Sequence, residues 1–141
     1  MFDNNPIEQT APNLKPQWQE LKEQNQKLLE HYNKIIKPTL LEFYELTQED
    51  FKIYLNEQTY PEHNKPIITL TDGLYISYRK WDTDTNPTYS ILLRPTYDTL
   101  TNKTIQSSHI DIQMVKLLVQ YWDRILTYMD SRVSSICSSK V

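Results

Sequence analysis

Aromatic and basic side chains alternate along one predicted strand, and this pattern is typical of a binding surface. Successive side chains of a strand point to opposite faces of the sheet. Four residues therefore share one face of the predicted strand: Tyr75, Ser77, Arg79 and Trp81. Exposed rings stack on nucleic-acid bases, and a guanidinium pairs with phosphate. The pattern predicts a site for single-stranded DNA or RNA, with Tyr75 and Trp81 stacking and Arg79 contacting phosphate.

Further basic residues stand near this strand. They are Lys65, Lys80 and Arg94, and we expect them to line the rim of the same site. The segment 51–110 has six basic and six acidic residues, so its charge is balanced. An alternative is therefore open, in which the rings form an ordinary cross-strand cluster and Arg79 an ion pair.

Catalytic motifs built on glycine are excluded by composition. Phosphate-binding loops, dinucleotide fingerprints and nucleophile elbows need several glycines, and the chain has one, Gly73. No pair of carboxylates stands out as an acid–base couple. We expect a protein that binds a partner and is not an enzyme.

Metal-binding motifs are also missing from the sequence. The run Asp82, Asp84, Asn86 imitates the start of a calcium loop, but Pro87 and Leu93 occupy the places of its glycine and its glutamate. The three histidines, His31, His63 and His109, lie in separate segments, without zinc-ligand spacing. The lone Cys137 is expected to be an ordinary thiol. We expect no metal and no cofactor.

Charge and hydropathy narrow the range of partners and locations. The 141 residues carry a net charge of −3, so an overall basic field that would attract duplex DNA is absent. No segment has the ~20 consecutive apolar residues of a membrane helix, and no basic, apolar signal region opens the sequence. The predicted location is intracellular, in the nucleus or the cytoplasm, with no membrane partner.

Two helical segments are predicted before the sheet. Residues 1–16 read as a flexible leader and residues 17–50 as a helical arm, whose first helix is expected to end at Pro38. Apolar residues recur in this helix at steps of three and four, interrupted by Asn25: Trp18, Leu21, Leu28, Tyr32 and Ile35. Such a seam is typical of a coiled coil, in which Asn25 pairs with its own copy in a parallel dimer. The alternative is an amphipathic helix that packs on its own domain.

A sheet-plus-helix domain is predicted over residues 51–133. The pair Asp72-Gly73 lies between two β-favouring runs and predicts a two-residue type I′ hairpin turn. Flanking runs at 51–55 and 88–94 extend the hairpin to an antiparallel meander of three or four strands, followed by a polar linker over 95–107. The expected fold class is α+β, with this meander packed against a long C-terminal helix.

The C-terminal helix is expected to begin at a capping box over Ser108–Asp111. Its broad apolar stripe predicts burial against the sheet and a second subunit. The expected dimer interface consists of Trp122, Ile125 and Met129, together with Asn25 of the first helix. Residues 134–141 are expected to form a frayed tail.

The order of elements over about residues 51–130 resembles the positive cofactor four type of transcriptional coactivator. The resemblance rests on the run from Ile76 to Trp81, followed by a long helix with Gln120-Tyr121-Trp122. It implies a homodimer that binds single-stranded DNA, in which Arg79 contacts phosphate and Trp81 stacks on a base. Arg94 resembles a further basic residue of the family, and similar domains occur in some large DNA viruses and bacteriophages.

Two functions follow as hypotheses from these observations. The first is a single-stranded nucleic-acid-binding homodimer in transcription or replication, with a protein of the transcription machinery as a further possible partner. The second is a structural or adaptor protein, of viral type, that oligomerises through the N-terminal helix and uses its aromatic sheet for protein contacts. The acidic first 50 residues, with a net charge of −4, favour the second.

Overall fold

The computed structural model describes residues 14–55, 65–105 and 110–139. In chain order its elements are α1 (Leu14–His31), a π-helical turn (Tyr32–Ile36), α2 (Lys37–Thr47), β1 (Phe51–Tyr54), β2 (Ile67–Thr71), β3 (Tyr75–Arg79), β4 (Tyr89–Leu92), β5 (Thr96–Asp98), β6 (Lys103–Ile105), α3 (Ile112–Gln120) and α4 (Trp122–Ser138). The chain is therefore α+β, as predicted. No helix in the described ranges combines the length and apolar character that crossing a bilayer requires.

The first helix continues through Pro38, which contradicts the prediction that it ends there. The backbone widens into a π-helical turn just before the proline, and Lys37 N–H donates to the Tyr32 carbonyl, five residues back. Pro38 then occupies the first turn of α2, where its missing N–H costs little. Next to the proline, the Thr39 hydroxyl donates to the carbonyl of Ile35 at 2.6 Å. A single helical rod results, with a local change of pitch.

The π-helical turn also changes which residues face the core. Because the turn takes more residues than an α-helical turn, Ile36 replaces Ile35 on the inner side of the helix. Ile36 is fully buried and Ile35 is exposed. From Tyr32 onward the buried positions are Tyr32, Ile36, Leu40 and Phe43, and all belong to the main core. The second half of the predicted arm is therefore part of the domain.

Strands β1 to β4 form one antiparallel sheet in chain order, so β1 and β4 are its edges. This confirms the predicted meander, with four strands. One face packs on the helices through its apolar side chains: Phe51, Ile53, Ile68, Leu70, Ile76 and Ile91. Tyr78 and Tyr89 stack on the same face, with ring centroids 5.9 Å apart. On the opposite face, Ile67, Thr69 and Ser77 of the two central strands are also buried, and Tyr128 of α4 lies beside the β1 edge.

The hairpin between β2 and β3 turns at the only glycine, as predicted, but its loop is one residue longer. Both Asp72 and Gly73 have positive φ, 57° and 64°, which is the backbone of a type I′ turn. Leu74 N–H donates to the Thr71 carbonyl at 2.9 Å. The register nevertheless pairs Thr71 with Tyr75, so Leu74 is an extra residue. Its carbonyl accepts from Leu93, which ties the loop to the edge strand.

The C-terminal helix is divided at Tyr121, where the backbone leaves helical geometry between α3 and α4. Asp111 caps α3 by accepting from Gln113 N–H at 2.9 Å. The predicted cap at Ser108 falls outside the described residues, and Asp111 takes the capping position that the prediction gave to Ser108. The last helix extends to Ser138, so the predicted frayed tail is helical over its first residues.

The residues predicted to form a dimer interface on α4 lie inside the single chain. Trp122, Ile125 and Met129 are buried and belong to the main core. Their apolar surface is already covered by the domain, so a dimer through them would require this core to open. A second feature was missed by the sequence analysis, because β5 and β6 form a two-stranded ribbon where a linker was predicted.

Candidate nucleic-acid interface

The side of the sheet opposite the main core carries two of the predicted site residues, Tyr75 and Arg79. We call this side the open face and define it by Lys52, Tyr54, Tyr75 and Arg79. Cross-strand register aligns Tyr54, Ile67 and Arg79 in one row at one end of the sheet. Tyr75 lies four residues before Arg79 on the same strand, about 13 Å away along the strand.

Arg79 is held in place over a small polar floor. The hydroxyls of Thr69 and Ser77 hydrogen bond to each other at 2.9 Å, and both residues are buried. Arg79 Nη1 donates to the Thr69 hydroxyl at 3.4 Å, and its Nε donates to the Asp84 carbonyl at 3.0 Å. A guanidinium has five N–H donors. These two contacts position the side chain, and no other described residue accepts from the guanidinium, so three donors are left for a ligand.

Three aromatic rings, on the open face and in the turn after β3, are accessible to solvent. Tyr54, Tyr75 and Trp81 are 42%, 43% and 39% exposed. Two of them have a lysine nearby: Lys65 Nζ lies 5.7 Å from the centre of the Tyr54 ring, and Lys80 Nζ lies 5.9 Å from that of Trp81. Cations at this distance are attracted by the face of a ring. Tyr54 and Trp81 thus each have a positive charge beside the ring.

Trp81 follows the end of β3 and does not continue its alternation. The strand ends at Arg79, and the chain bends through Lys80 and Trp81 into the 81–84 turn. The Asp84 N–H donates to the Trp81 carbonyl at 3.0 Å, which closes this turn. The turn, rather than the strand, therefore sets the position of the indole.

A groove of about 740 Å³ crosses the open face from β1 to the 81–84 turn. Its charged lining is mixed, with Lys52 and Arg79 beside three carboxylates: Asp50, Asp82 and Asp84. One oxygen of Asp82, Oδ1, is shielded from solvent and has no hydrogen-bond partner among the described residues. The groove is therefore not the purely basic channel that a simple phosphate site would present.

Arg94 does not join the other predicted residues. Its guanidinium donates to the Gly73 carbonyl at 3.1 Å and to the Asp72 carbonyl at 3.4 Å, and it lies over the Tyr44 ring at 5.6 Å. These contacts place it at the hairpin turn, at the opposite end of β3 from Arg79. Arg94 therefore supports the turn, and the prediction that it lines the same rim is corrected.

Two residues of the open face were missed by the sequence analysis. Lys52 and Tyr54 lie on β1 with their side chains directed away from the core, as the burial of Phe51 and Ile53 requires. The alternation of apolar and polar residues over 51–54 contained this signal. Only the strand register shows that Tyr54 lies in one row with Arg79 and belongs to the same face.

The described residues contain no group of three or more His, Cys, Asp or Glu side chains placed to hold a metal ion. Of the histidines, His63 and His109 lie outside the described residues. No protein-family model, no curated protein and no solved structure matches the chain.

Proposed function

We propose that the protein binds a single strand of nucleic acid across the open face, in a process such as transcription or replication. The observation that supports this most is the set of three exposed rings, Tyr54 and Tyr75 on the open face and Trp81 in the turn after β3, two of them with a lysine beside the ring. Each ring can stack on one base, and the neighbouring ammonium groups offset the phosphate charge. Stacking tolerates any base, so the proposal includes no sequence preference.

Arg79 is the proposed phosphate contact. Its contacts with Thr69 and Asp84 hold the guanidinium plane before a ligand arrives, so little side-chain entropy is lost on binding. Lys52, Lys65 and Lys80 provide three further positive charges. For about four phosphate contacts, the logarithm of the binding constant should fall with the logarithm of salt concentration with a slope of about −3.

The test is an anisotropy titration of a labelled oligothymidine with the full chain at low salt. Replacing Trp81 by alanine should weaken binding by about 5- to 150-fold, because one stacking contact is lost. The control is Leu46→Ala, which removes a 67% exposed apolar side chain on α2. Unchanged affinity for a folded Trp81→Ala protein would contradict the proposal.

A structural or adaptor role is the second candidate, and the mixed charge of the groove favours it. Three carboxylates beside Lys52 and Arg79 suit a protein segment with both charges better than they suit a polyanion. The double substitution Asp82→Asn and Asp84→Asn distinguishes the two functions. It should strengthen oligonucleotide binding if the ligand is a nucleic acid. The adaptor role is favoured if neither form of the protein binds an oligonucleotide.

A further inference from the structure

The apolar stripe of α1 is covered along only part of its length. Leu28 and Tyr32 pack against the main core. Trp18 and Leu21 continue the same stripe toward the N-terminus, yet they are 60% and 49% exposed. All residues from 15 to 24 are exposed. We call residues 15–24 the N-terminal arm. These ten residues of α1 are about 15 Å long and precede the part of the helix that packs on the domain.

Asn25 lies at the border between the covered and the uncovered part of the stripe. Its side-chain Oδ1 is shielded from solvent but has no hydrogen-bond partner among the described residues. A buried polar atom left without a partner destabilises a protein by about 1–3 kcal/mol. The spacing of Trp18, Leu21, Asn25 and Leu28 places Asn25 at an a-type position of a heptad. Asparagine at that position pairs with the same residue of a parallel partner helix.

We infer that the N-terminal arm pairs in parallel with the arm of a second copy of this chain. Trp18, Leu21 and Asn25 would each lie opposite the same residue of the other subunit. The pairing covers the two exposed apolar side chains, Trp18 and Leu21. It also stabilises a short exposed stretch of helix, which is marginal in water without packing against a neighbour.

Charge along the arm favours parallel over antiparallel pairing. In parallel register Gln17 flanks the partner's Lys22, and no like charges meet beside the seam. In antiparallel register, with Trp18 opposite the partner's Leu28, Lys22 would lie beside the partner's Lys22. Beyond Asn25 the two helices must separate, because Leu28 and Tyr32 are engaged with their own domains.

This inference goes beyond the proposed function and does not rest on the ligand of the open face. A parallel pair carries two open faces on one particle. A strand long enough to reach both would bind more tightly than a short one. The arm would then act as the assembly element and the sheet as the ligand-binding element.

Disulfide trapping tests the register directly. Leu21→Cys is introduced into the full chain with Cys137→Ser, so that the exposed native thiol does not interfere. In the parallel register the two new cysteines are adjacent and should form a covalent dimer on oxidation. In the antiparallel register the two cysteines are offset by four residues, about 6 Å along the helix axis. This offset adds to the spacing between the helices, so the distance between the two Cα atoms is too long for a disulfide. The control is Leu46→Cys in the same background, a 67% exposed position on α2.

Light scattering after size exclusion tests the assembly without a covalent link. The native chain should show a mass that rises with concentration. The double variant Trp18→Ala and Leu21→Ala should remain monomeric with unchanged circular dichroism, since its association should weaken by about 100-fold. A monomeric native chain at the highest soluble concentration, or equal trapping of the Leu21→Cys and Leu46→Cys chains, would overturn the inference. Oligonucleotide binding by the monomeric double variant would support the proposed function separately.

Discussion

Glu49 and Arg132 form a two-pronged ion pair that joins the end of α2 to α4. Arg132 Nε donates to Oε1 of Glu49 at 2.9 Å, and Nη2 donates to Oε2 at 2.8 Å. Parallel N–H donors of a guanidinium match the two oxygens of a carboxylate. The hydrogen bonds from Arg132 hold the pKa of Glu49 below its usual range, and the same bonds raise the pKa of Arg132.

The Glu49–Arg132 pair predicts a loss of stability in acid. A carboxyl whose pKa is lowered in the folded state stabilises the protein fully above its unfolded-state pKa, and this is lost as the pH falls through the folded pKa. Glu49→Gln should therefore melt at a lower temperature than the native chain at about pH 7, and the gap should close by about pH 3. Thermal melts across this range check it, with Glu45→Gln, on α2, as the control. A gap independent of pH would show that the pair contributes nothing through ionisation.

Gly73→Ala is expected to destabilise the fold by about 2–4 kcal/mol. Gly73 has a φ of 64°, and a Cβ there would lie 2.6 Å from Cγ of Tyr44. The backbone is also fixed on both sides, because its N–H donates to Asp50 and its carbonyl accepts from Arg94. Urea unfolding measures the change. Asp72→Gly, at the neighbouring residue with positive φ, is the control and should alter stability by no more than about 1 kcal/mol.

Tyr32→Phe is expected to leave the stability unchanged or to raise it, by up to about 2 kcal/mol. The hydroxyl of Tyr32 is buried and has no partner among the described residues. Burial raises the pKa of this hydroxyl above its usual range, so it stays neutral while the protein is folded. Denaturant unfolding checks the prediction, and Ile36→Ala, expected to cost about 2–5 kcal/mol, shows that the assay responds to this part of the core. A large loss of stability for Tyr32→Phe would reveal a hydrogen bond to the hydroxyl.

Arg79→Lys is expected to weaken oligonucleotide binding by about 5- to 10-fold while the charge is kept. An ammonium cannot reproduce the fork that contacts both Thr69 and Asp84 and still has donors for phosphate. Anisotropy at matched salt measures the change. Lys116→Arg, on α3 away from the open face, is the control. Equal binding by Arg79→Lys would mean that only the charge of this residue matters.

The sheet was predictable because its signals are local. Asp72-Gly73 between apolar runs is sufficient to locate a hairpin, and alternation along β3 separated Ile76 from Arg79. The extra loop residue Leu74 was not predictable, since it depends on the hydrogen bond between its carbonyl and Leu93. Alternation does not extend to Trp81, because β3 ends at Arg79 and the indole belongs to the turn that follows.

The positions of long-range partners could not be read from the sequence. Arg94 looked like a rim residue, and only the tertiary structure shows its guanidinium engaged at the turn over Tyr44. The apolar stripe of α4 was recognised, but a stripe does not reveal whether its cover is the same chain or another one. Trp122 and Ile125 are covered by their own core.

The π-helical turn at Tyr32–Ile36 contains one residue more than an α-helical turn would. Because that residue is absorbed in the wider turn, the stripe of Trp18 and Leu21 stays in line with Ile36 and Leu40. Deleting one residue within the turn would shorten the rod and keep the azimuth of the arm. Forcing the turn into α-helical pitch without a deletion would rotate the arm about its axis by about 100°. The length of the helical rod can therefore change at this turn while the apolar stripe of the arm keeps its direction.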